Sequence, residues 1–307
     1  MSKTVEEYKK SLKMGEAEEI LDLIFYRPLA LGFVKLIYRL PITPNQVTYL
    51  SLLAGLASAY YFSQGTPEQF AVAGIWYAIA NMLDCADGQL ARLQNSGTPL
   101  GRLVDGLVDW IISVAIFVCL GIGLAAQTGQ PIVWYVVVAG GLTSAIHSIL
   151  FDYYRQDYIA KVRGQKSYLT CEIEKIETEL QKGGYTKNGT LRQIPLHIYL
   201  NYLRIQQRSQ LKKVDGKEVS ADLYRDSFKR LTGWWTFLGA TTNRSLLIIA
   251  ALFHQPEIFL WIVVVPGNVY LAIILLWQRS IQRRLDESLK RHTIQQPAEA
   301  PAQSMTN

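Results

Sequence analysis

Four aspartates, Asp84, Asp87, Asp105 and Asp109, lie within the stretch DCADGQLARLQNSGTPLGRLVDGLVD that runs from Asp84 to Asp109. If the run through Arg92 is helical, Asp84, Asp87, Gly88 and Ala91 fall at i, i+3, i+4 and i+7, so two acids share one stripe with two of the smallest residues. Asn95, Ser96, Gly97, Thr98 and Pro99 then break the helix. A second helix sets Gly101, Asp105 and Asp109 at successive i+4 steps. Helices joined by so short a turn are neighbours, so the two acidic faces can meet. Four carboxylates that close repel one another strongly unless cations sit between them. With no His or Cys beside them as partner ligands, hard oxygens suit magnesium, calcium or manganese rather than zinc. Two such ions about 3.5–4 Å apart, clamping a phosphoryl group, are the usual use of a carboxylate cluster.

The plain alternative is a solvated helix end, which a lone D-x-x-D usually marks. Two observations oppose it. Both acid pairs abut strongly apolar runs, where ionisable residues are costly and functional by default, and Gly88, Ala91 and Gly101 keep the same faces bare for a ligand.

The residues Asp84, Asp87, Gly88, Ala91, Arg92, Gly101, Asp105 and Asp109 fit D-x2-D-G-x2-A-R-x8-G-x3-D-x3-D at every fixed position. In this the chain resembles the CDP-alcohol phosphotransferase (CDP-alcohol phosphatidyltransferase) family of integral membrane proteins. Eight positions at fixed spacing are far more specific than a lone glycine-rich loop. The segment TPNQVT at Thr43 to Thr48 adds to the likeness, which covers about residues 20 to 155 well and the last third mainly by segment pattern. The resemblance implies metal-dependent transfer of a substituted phosphate from a CDP-linked donor to an acceptor hydroxyl, with release of CMP. It implies two Mg2+ or Mn2+ ions held by Asp84, Asp87 and Asp105, with Asp109 close to a metal and placed to take the acceptor proton. Gly88, Ala91 and Gly101 would leave room for the nucleotide, Arg92 would pair with phosphate or with the cluster, and Asn45 and Thr48 would sit near the nucleotide. It also implies a homodimer. Donor and acceptor are not set by the motif. CDP-diacylglycerol in phospholipid biosynthesis is the first choice; CDP-inositol chemistry making a polar phosphodiester is the second, prompted by the wording LDCADG.

The elements that must position these residues follow from composition. Of 307 residues, 50% are hydrophobic and 18% charged, and the mean hydropathy is positive, which points to a membrane protein. The excess of 31 Lys and Arg over 25 Asp and Glu fits an anionic membrane surface better than nucleic acid, given the apolar segments. Cys85, Cys119 and Cys171 form no C-x-x-C pair, so free thiols are expected. The first 20 residues are charged and offer no cleavable signal.

The expected fold is all-α, a polytopic membrane protein with six transmembrane helices, an N-terminal interfacial helix and a helical cytoplasmic insertion. Residues 1–44 form a cytoplasmic arm and interfacial helix, its Leu21 to Leu40 portion studded with Arg27, Lys35 and Arg39; an ordinary amphipathic packing helix is the other reading. Residues 45–155 carry spans one to four and the motif, 156–231 the insertion, 232–281 spans five and six, and 282–307 a tail with a disordered end. Six runs approach the roughly 20-residue spanning length: Gln46 to Ser63, Phe70 to Leu90, Leu103 to Ala126, Ile132 to Tyr153, Trp234 to Phe253 and Ile258 to Trp277. The loops Gln64 to Gln69, Gln127 to Pro131 and His254 to Glu257 lack Lys and Arg, whereas the segments on the other side are rich in them. By the positive-inside rule the termini and the aspartates are cytoplasmic.

Three further polar features stand out. Ser144, His147, Ser148, Asp152 and Arg155 form a stripe on the fourth span that could line a cavity, with Arg155 a candidate phosphate or acceptor contact; His147 alone reads as a packing residue. Arg244, inside the fifth span, must find an anionic partner, either a phosphate or an acid of the cluster, and it is read first as an acceptor or phosphate contact. The insertion, with helices around Cys171 to Gln181 and Leu196 to Gln210 and with Arg204 and Arg208 one turn apart, is either a cap over the acceptor site or a solvated excursion, the second being favoured.

Two other classes compete. An intramembrane prenyltransferase would use Asp105 with Asp109, but its N-x3-D-x3-D partner is absent because Asn81, Asp84 and Asp87 are spaced by three. A transporter is disfavoured by acids at a helix end rather than at the midplane.

Overall fold

The computed structural model describes residues 18–164, 168–182 and 220–295, with residues 197, 200, 201, 203 and 204 besides. The expectations for the first 17 residues, for Arg208, for most of the helix around Leu196 to Gln210 and for the end of the tail lie outside them. Among the described residues every regular element is helical. We number the helices α1 (Arg27–Ile37), α2 (Pro44–Ser63), α3 (Pro67–Leu93), α4 (Pro99–Thr128), α5 (Ile132–Val162), α6 (Tyr168–Lys182), α7 (Ala221–Trp235), α8 (Ala240–Leu252), α9 (Pro256–Ile262) and α10 (Asn268–Gln295).

One local signal starts three successive helices. Thr43-Pro44, Thr66-Pro67 and Thr98-Pro99 place a threonine at the N-cap and a proline at the first helical position, where its missing N–H costs nothing and its fixed φ suits a helix. Thr43 and Gln46 close a reciprocal capping box, with the Thr43 amide donating to Oε1 of Gln46 at 2.8 Å. The aspartate-bearing turn therefore has defined ends. The first helix runs through Leu93, and the second begins at Pro99.

α2, α3 and α4 form the tightest part of the molecule, joined to α1, α8 and α9 around one apolar core that includes Val47, Phe62, Phe70, Ala86, Leu90, Ile116 and Leu120. Where α2 crosses α4, a Cβ on Gly123 would lie 2.0 Å from the Phe62 carbonyl oxygen, so only glycine allows this approach. Ser51 and Ser58 on α2 donate to the carbonyls of Ala80 and Ala73 on α3 at 3.1 and 2.8 Å. Such bonds satisfy hydroxyls inside an apolar bundle and contribute roughly 0.6–2 kcal/mol each. A second core of Phe151, Tyr158, Tyr224, Phe228, Leu231, Trp235 and Leu271 joins α5, α7 and α10.

Among the described residues, three helical stretches are long and apolar enough to cross a membrane: Pro99–Thr128, Ile132–Val162 and Pro256–Ser288. The expected fifth span, Trp234 to Phe253, is not one helix. Its chain ends α7 at Trp235, passes through a 3-10 turn at Thr236–Leu238, extends at Gly239 (φ −69°, ψ 163°) and restarts as α8. Thirteen residues of α8 rise about 20 Å, short of a hydrocarbon core of about 30 Å. The sixth run is interrupted as well, by a π-helical turn at Val263–Gly267 that contains Pro266, whose missing donor breaks the regular ladder.

The N-terminal segment has two faces. Tyr26, Ala30, Leu31, Val34 and Ile37 are buried, while Ile24, Phe25, Leu29 and Leu36 are exposed. Arg27 is buried rather than at the surface, in an ion pair with Glu18. Part of the insertion packs as a small core of Ile173, Ile176, Leu200 and Leu203, against which Leu100 of α4 rests. An ion pair of Arg204 with Glu177 at 2.7 Å ties its pieces together. This described part of the insertion packs beside the turn that leads into Gly101.

Candidate metal and phosphate site

α3 and α4 both pack against α2, and across it they bring the motif together. One carboxylate oxygen from each of Asp84, Asp87 and Asp105 lies within 4.8 Å of the others. That mutual span is close to the width of one oxygen coordination sphere, since metal–oxygen distances are roughly 2.0–2.6 Å. The donor set is all carboxylate, so the group fits a hard divalent cation of the magnesium, manganese or calcium type. Asp109 stands outside this trio, one turn further along α4 from Asp105.

Arg244 holds Asp109. Its Nη2 donates to Oδ2 of Asp109 at 2.8 Å, and its Nη1 donates to Oδ2 of Asp84 at 3.1 Å and to Oδ1 of Asn81 at 3.0 Å. The two readings left open for this cation are thereby narrowed: its partners in this structure are acids of the cluster. The cation enters because α8 packs directly on α3, where a Cβ at Gly74 would meet the Ile248 carbonyl at 3.1 Å. A largely enclosed guanidinium here offsets part of the repulsion among the carboxylates.

The other site residues are placed by the same few elements. Thr48, buried on α2, donates through Oγ1 to Oδ2 of Asp87 at 2.5 Å, so it orients a ligand carboxylate. Asn45 is exposed at the start of α2, and its Oδ1 would be 3.5 Å from a Cβ at Gly101. TPNQVT therefore combines a helix cap at Thr43 with two side chains aimed at the motif. A Cβ on Gly88 would touch the Arg92 guanidinium at 3.5 Å, which sets Arg92 alongside the bare face, and Ala91 is half-buried on that helix. Arg155 is not brought to the aspartates by any contact of its own: it pairs with Asp152 on its own helix at 2.5 Å and lies over the Phe151 ring. His147 is buried on α5, and its ring is 2.9 Å from where a Cβ on Gly267 would stand, as fits a packing residue. Ser144 is buried on the same stripe, while Asp152 is exposed.

The sequence reading gave no site role to two participants. Asn81 supports Arg244 from one turn before Asp84, and its i−3 position on the acidic face was a visible signal. Glu19 accepts bonds from the Thr241 and Thr242 amides at 3.2 and 2.9 Å; nothing local in the sequence marks a contact across so many residues.

Comparison with known proteins agrees with the geometry. Residues 41–183 match the CDP-alcohol phosphatidyltransferase family model. A Thermococcus kodakarensis protein named bifunctional IPC transferase and DIPP synthase is 33% identical over 112 residues, covering 36% of this chain and 23% of that protein. The phosphatidylinositol phosphate synthase of Corynebacterium glutamicum is 28% identical over 138 residues, 45% of this chain and 58% of that protein. The archaetidylinositol phosphate synthase of Pyrococcus horikoshii is 32% identical over 89 residues, 29% of this chain and 46% of that protein. The chain thus spans between about a quarter and just over half of the length of these relatives.

Proposed function

We propose that this chain, which belongs to the CDP-alcohol phosphatidyltransferase family, transfers a substituted phosphate from a CDP-alcohol to an acceptor hydroxyl and releases CMP. The observation that carries the proposal is the convergence of Asp84, Asp87 and Asp105 on one small space, with a fourth carboxylate, Asp109, held beside them by Arg244.

In this reading the acceptor oxygen forms a new bond to the phosphorus that bears the donor alcohol, the pyrophosphate P–O bond breaks, and CMP leaves with the electron pair. Asp84, Asp87 and Asp105 would hold the divalent metal, and two Mg2+ or Mn2+ ions are the expected complement. When bound, the metal offsets charge on the pyrophosphate and on the departing phosphate. Asp109 takes the proton of the acceptor hydroxyl, and Arg244 fixes its carboxylate. Thr48 orients Asp87. Gly88, Ala91 and Gly101 leave the nucleotide a path to the backbone, while Asn45 and Arg92 border it.

The names of the relatives favour inositol-bearing substrates, so CDP-inositol moves ahead of CDP-diacylglycerol as the donor. The diacylglycerol reading remains second, because two of the relatives are named for lipid products. We further propose that the chain lies in the membrane with six hydrophobic segments, with its termini and the aspartates on the cytoplasmic side, as the placement of Lys and Arg supports, and that it works as a homodimer. The test is incubation of purified protein with CDP-inositol or CDP-diacylglycerol and a panel of alcohols including inositol phosphate, with products identified by mass spectrometry. Product from one pairing names the substrates; product from neither donor contradicts the proposal.

A further inference from the structure

The N-terminal segment reaches the site from outside the motif. Glu19 is 4% exposed, and its carboxylate accepts from the Thr241 amide at 3.2 Å, from the Thr242 amide at 2.9 Å and from the Thr242 hydroxyl at 3.1 Å. These are the donors that the first turn of a helix leaves without an intrahelical partner, and a carboxylate there also meets the positive end of the helix dipole. Gly239 is the matching surface, since a Cβ on it would lie 2.1 Å from the Glu19 carboxyl carbon. A methyl group added there would force the glutamate carboxylate to move.

Further contacts fix the same segment on both sides. The Tyr26 hydroxyl bonds Ser245 Oγ at 3.1 Å, next to Arg244. Gln89 on α3 donates to the Arg27 carbonyl at 3.0 Å, and Arg27 pairs with Glu18. Residues Glu18 to Arg27 therefore span from the start of α8 to the last turns of the aspartate helix. The broken chain before α8 gives this helix no rigid lead-in of its own.

We infer that Glu19 is a positioning residue for the proposed transfer: by capping α8 it sets the depth and register at which Arg244 meets Asp84 and Asp109. The inference rests on the transferase reading for its effect on turnover, but the placement of Arg244 is a property of the fold alone. Arg244 follows the Thr242 contact by two residues, so a loosened first turn moves the guanidinium directly.

The experiment is a double-mutant cycle between Glu19→Ala and Arg244→Ala, with Gly239→Ala as a second way of displacing the glutamate. CMP release by Glu19→Ala and by Gly239→Ala is expected to fall about tenfold in kcat with little change in KM for the CDP donor, while Glu19→Gln, which keeps one acceptor oxygen, stays within about threefold of the native rate. In the Arg244→Ala background, Glu19→Ala is expected to cost nothing further. An equal loss in both backgrounds overturns the inference. Independently of turnover, the losses in thermal-unfolding temperature from the two substitutions are expected to be sub-additive, and strict additivity overturns the inference. If Arg244→Ala abolishes turnover, the unfolding cycle decides. If the native protein releases no CMP, the transferase reading fails while the same unfolding cycle still tests the positioning role.

Discussion

Arg244 and Asp109 meet at 2.8 Å although they lie on helices from opposite halves of the chain. The contact joins the motif helices to α8, so the acidic site is assembled from three helices rather than two. Removing Arg244 leaves Asp84 and Asp109 without their cation, and because the side chains are only partly buried the cost falls below the roughly 3–5 kcal/mol of a fully buried pair. We therefore expect Arg244→Ala to lower the unfolding temperature markedly and to reduce CMP release. Arg244→Lys should recover stability only in part, because a single ammonium cannot span Asp84, Asp109 and Asn81 as a planar guanidinium does. Thermal unfolding in detergent, with and without Mn2+, measures both.

Thr48 donates to Asp87. Outer groups that orient metal ligands typically change metal affinity or activity by 10–100-fold. Thr48→Val keeps the shape and removes the hydroxyl, so the Mn2+ concentration giving half-maximal CMP release should rise by about 10-fold or more. An unchanged requirement would remove Thr48 from the site.

The Glu19 carboxyl is pushed up to about 7 from its ordinary 4.5, first by burial and then by the charge of Asp22, while the Thr241 and Thr242 bonds oppose the rise. The folded chain thus holds this proton more tightly than the unfolded one. Its contribution is complete below pH 4.5 and is lost as pH rises towards 7, after which it is flat. Glu18 is paired with Arg27, which leaves Asp22 as the neighbouring charge to control. The difference in unfolding temperature between the native protein and Glu19→Gln should therefore shift against the native protein between pH 5 and pH 7, then stay constant to pH 8. A difference that does not change with pH would contradict the assignment.

Gly123 tests the helix crossing that supports the motif. An added methyl group has no room against the Phe62 carbonyl, and overpacking of this kind costs about 1–3 kcal/mol. Gly123→Ala should lower the unfolding temperature, whereas Gly106→Ala, with open space around it, should leave it close to native.

Much of the site was legible because its signal is local. Helical spacing put Asp84 with Asp87 and Asp105 with Asp109 on common faces, and the break before Pro99 made their helices neighbours. The Thr-Pro starts are equally local. What escaped was long-range or composite. The run from Trp234 to Phe253 is apolar enough on average to read as a span, yet Gly239 and the polar Thr241, Thr242 and Asn243 begin a new helix inside it. Glu19 sits in a charged stretch typical of a solvated arm, and its bonds to α8 depend on the tertiary fold alone. The docking of Ile173 and Leu203 near Leu100 was hidden for the same reason, since charged helix faces dominate the composition of the insertion.

The measurement that bears most directly on the account is CMP release by the purified protein from CDP-inositol or CDP-diacylglycerol, with inositol phosphate and other alcohols as acceptors. The account predicts release in Mg2+ or Mn2+, none in excess chelator, recovery when the metal is restored, loss in Asp84→Asn together with donor binding, and loss in Asp109→Asn with donor binding retained. Native-rate turnover by Asp109→Asn, or no CMP from any pairing with metal present, would contradict it.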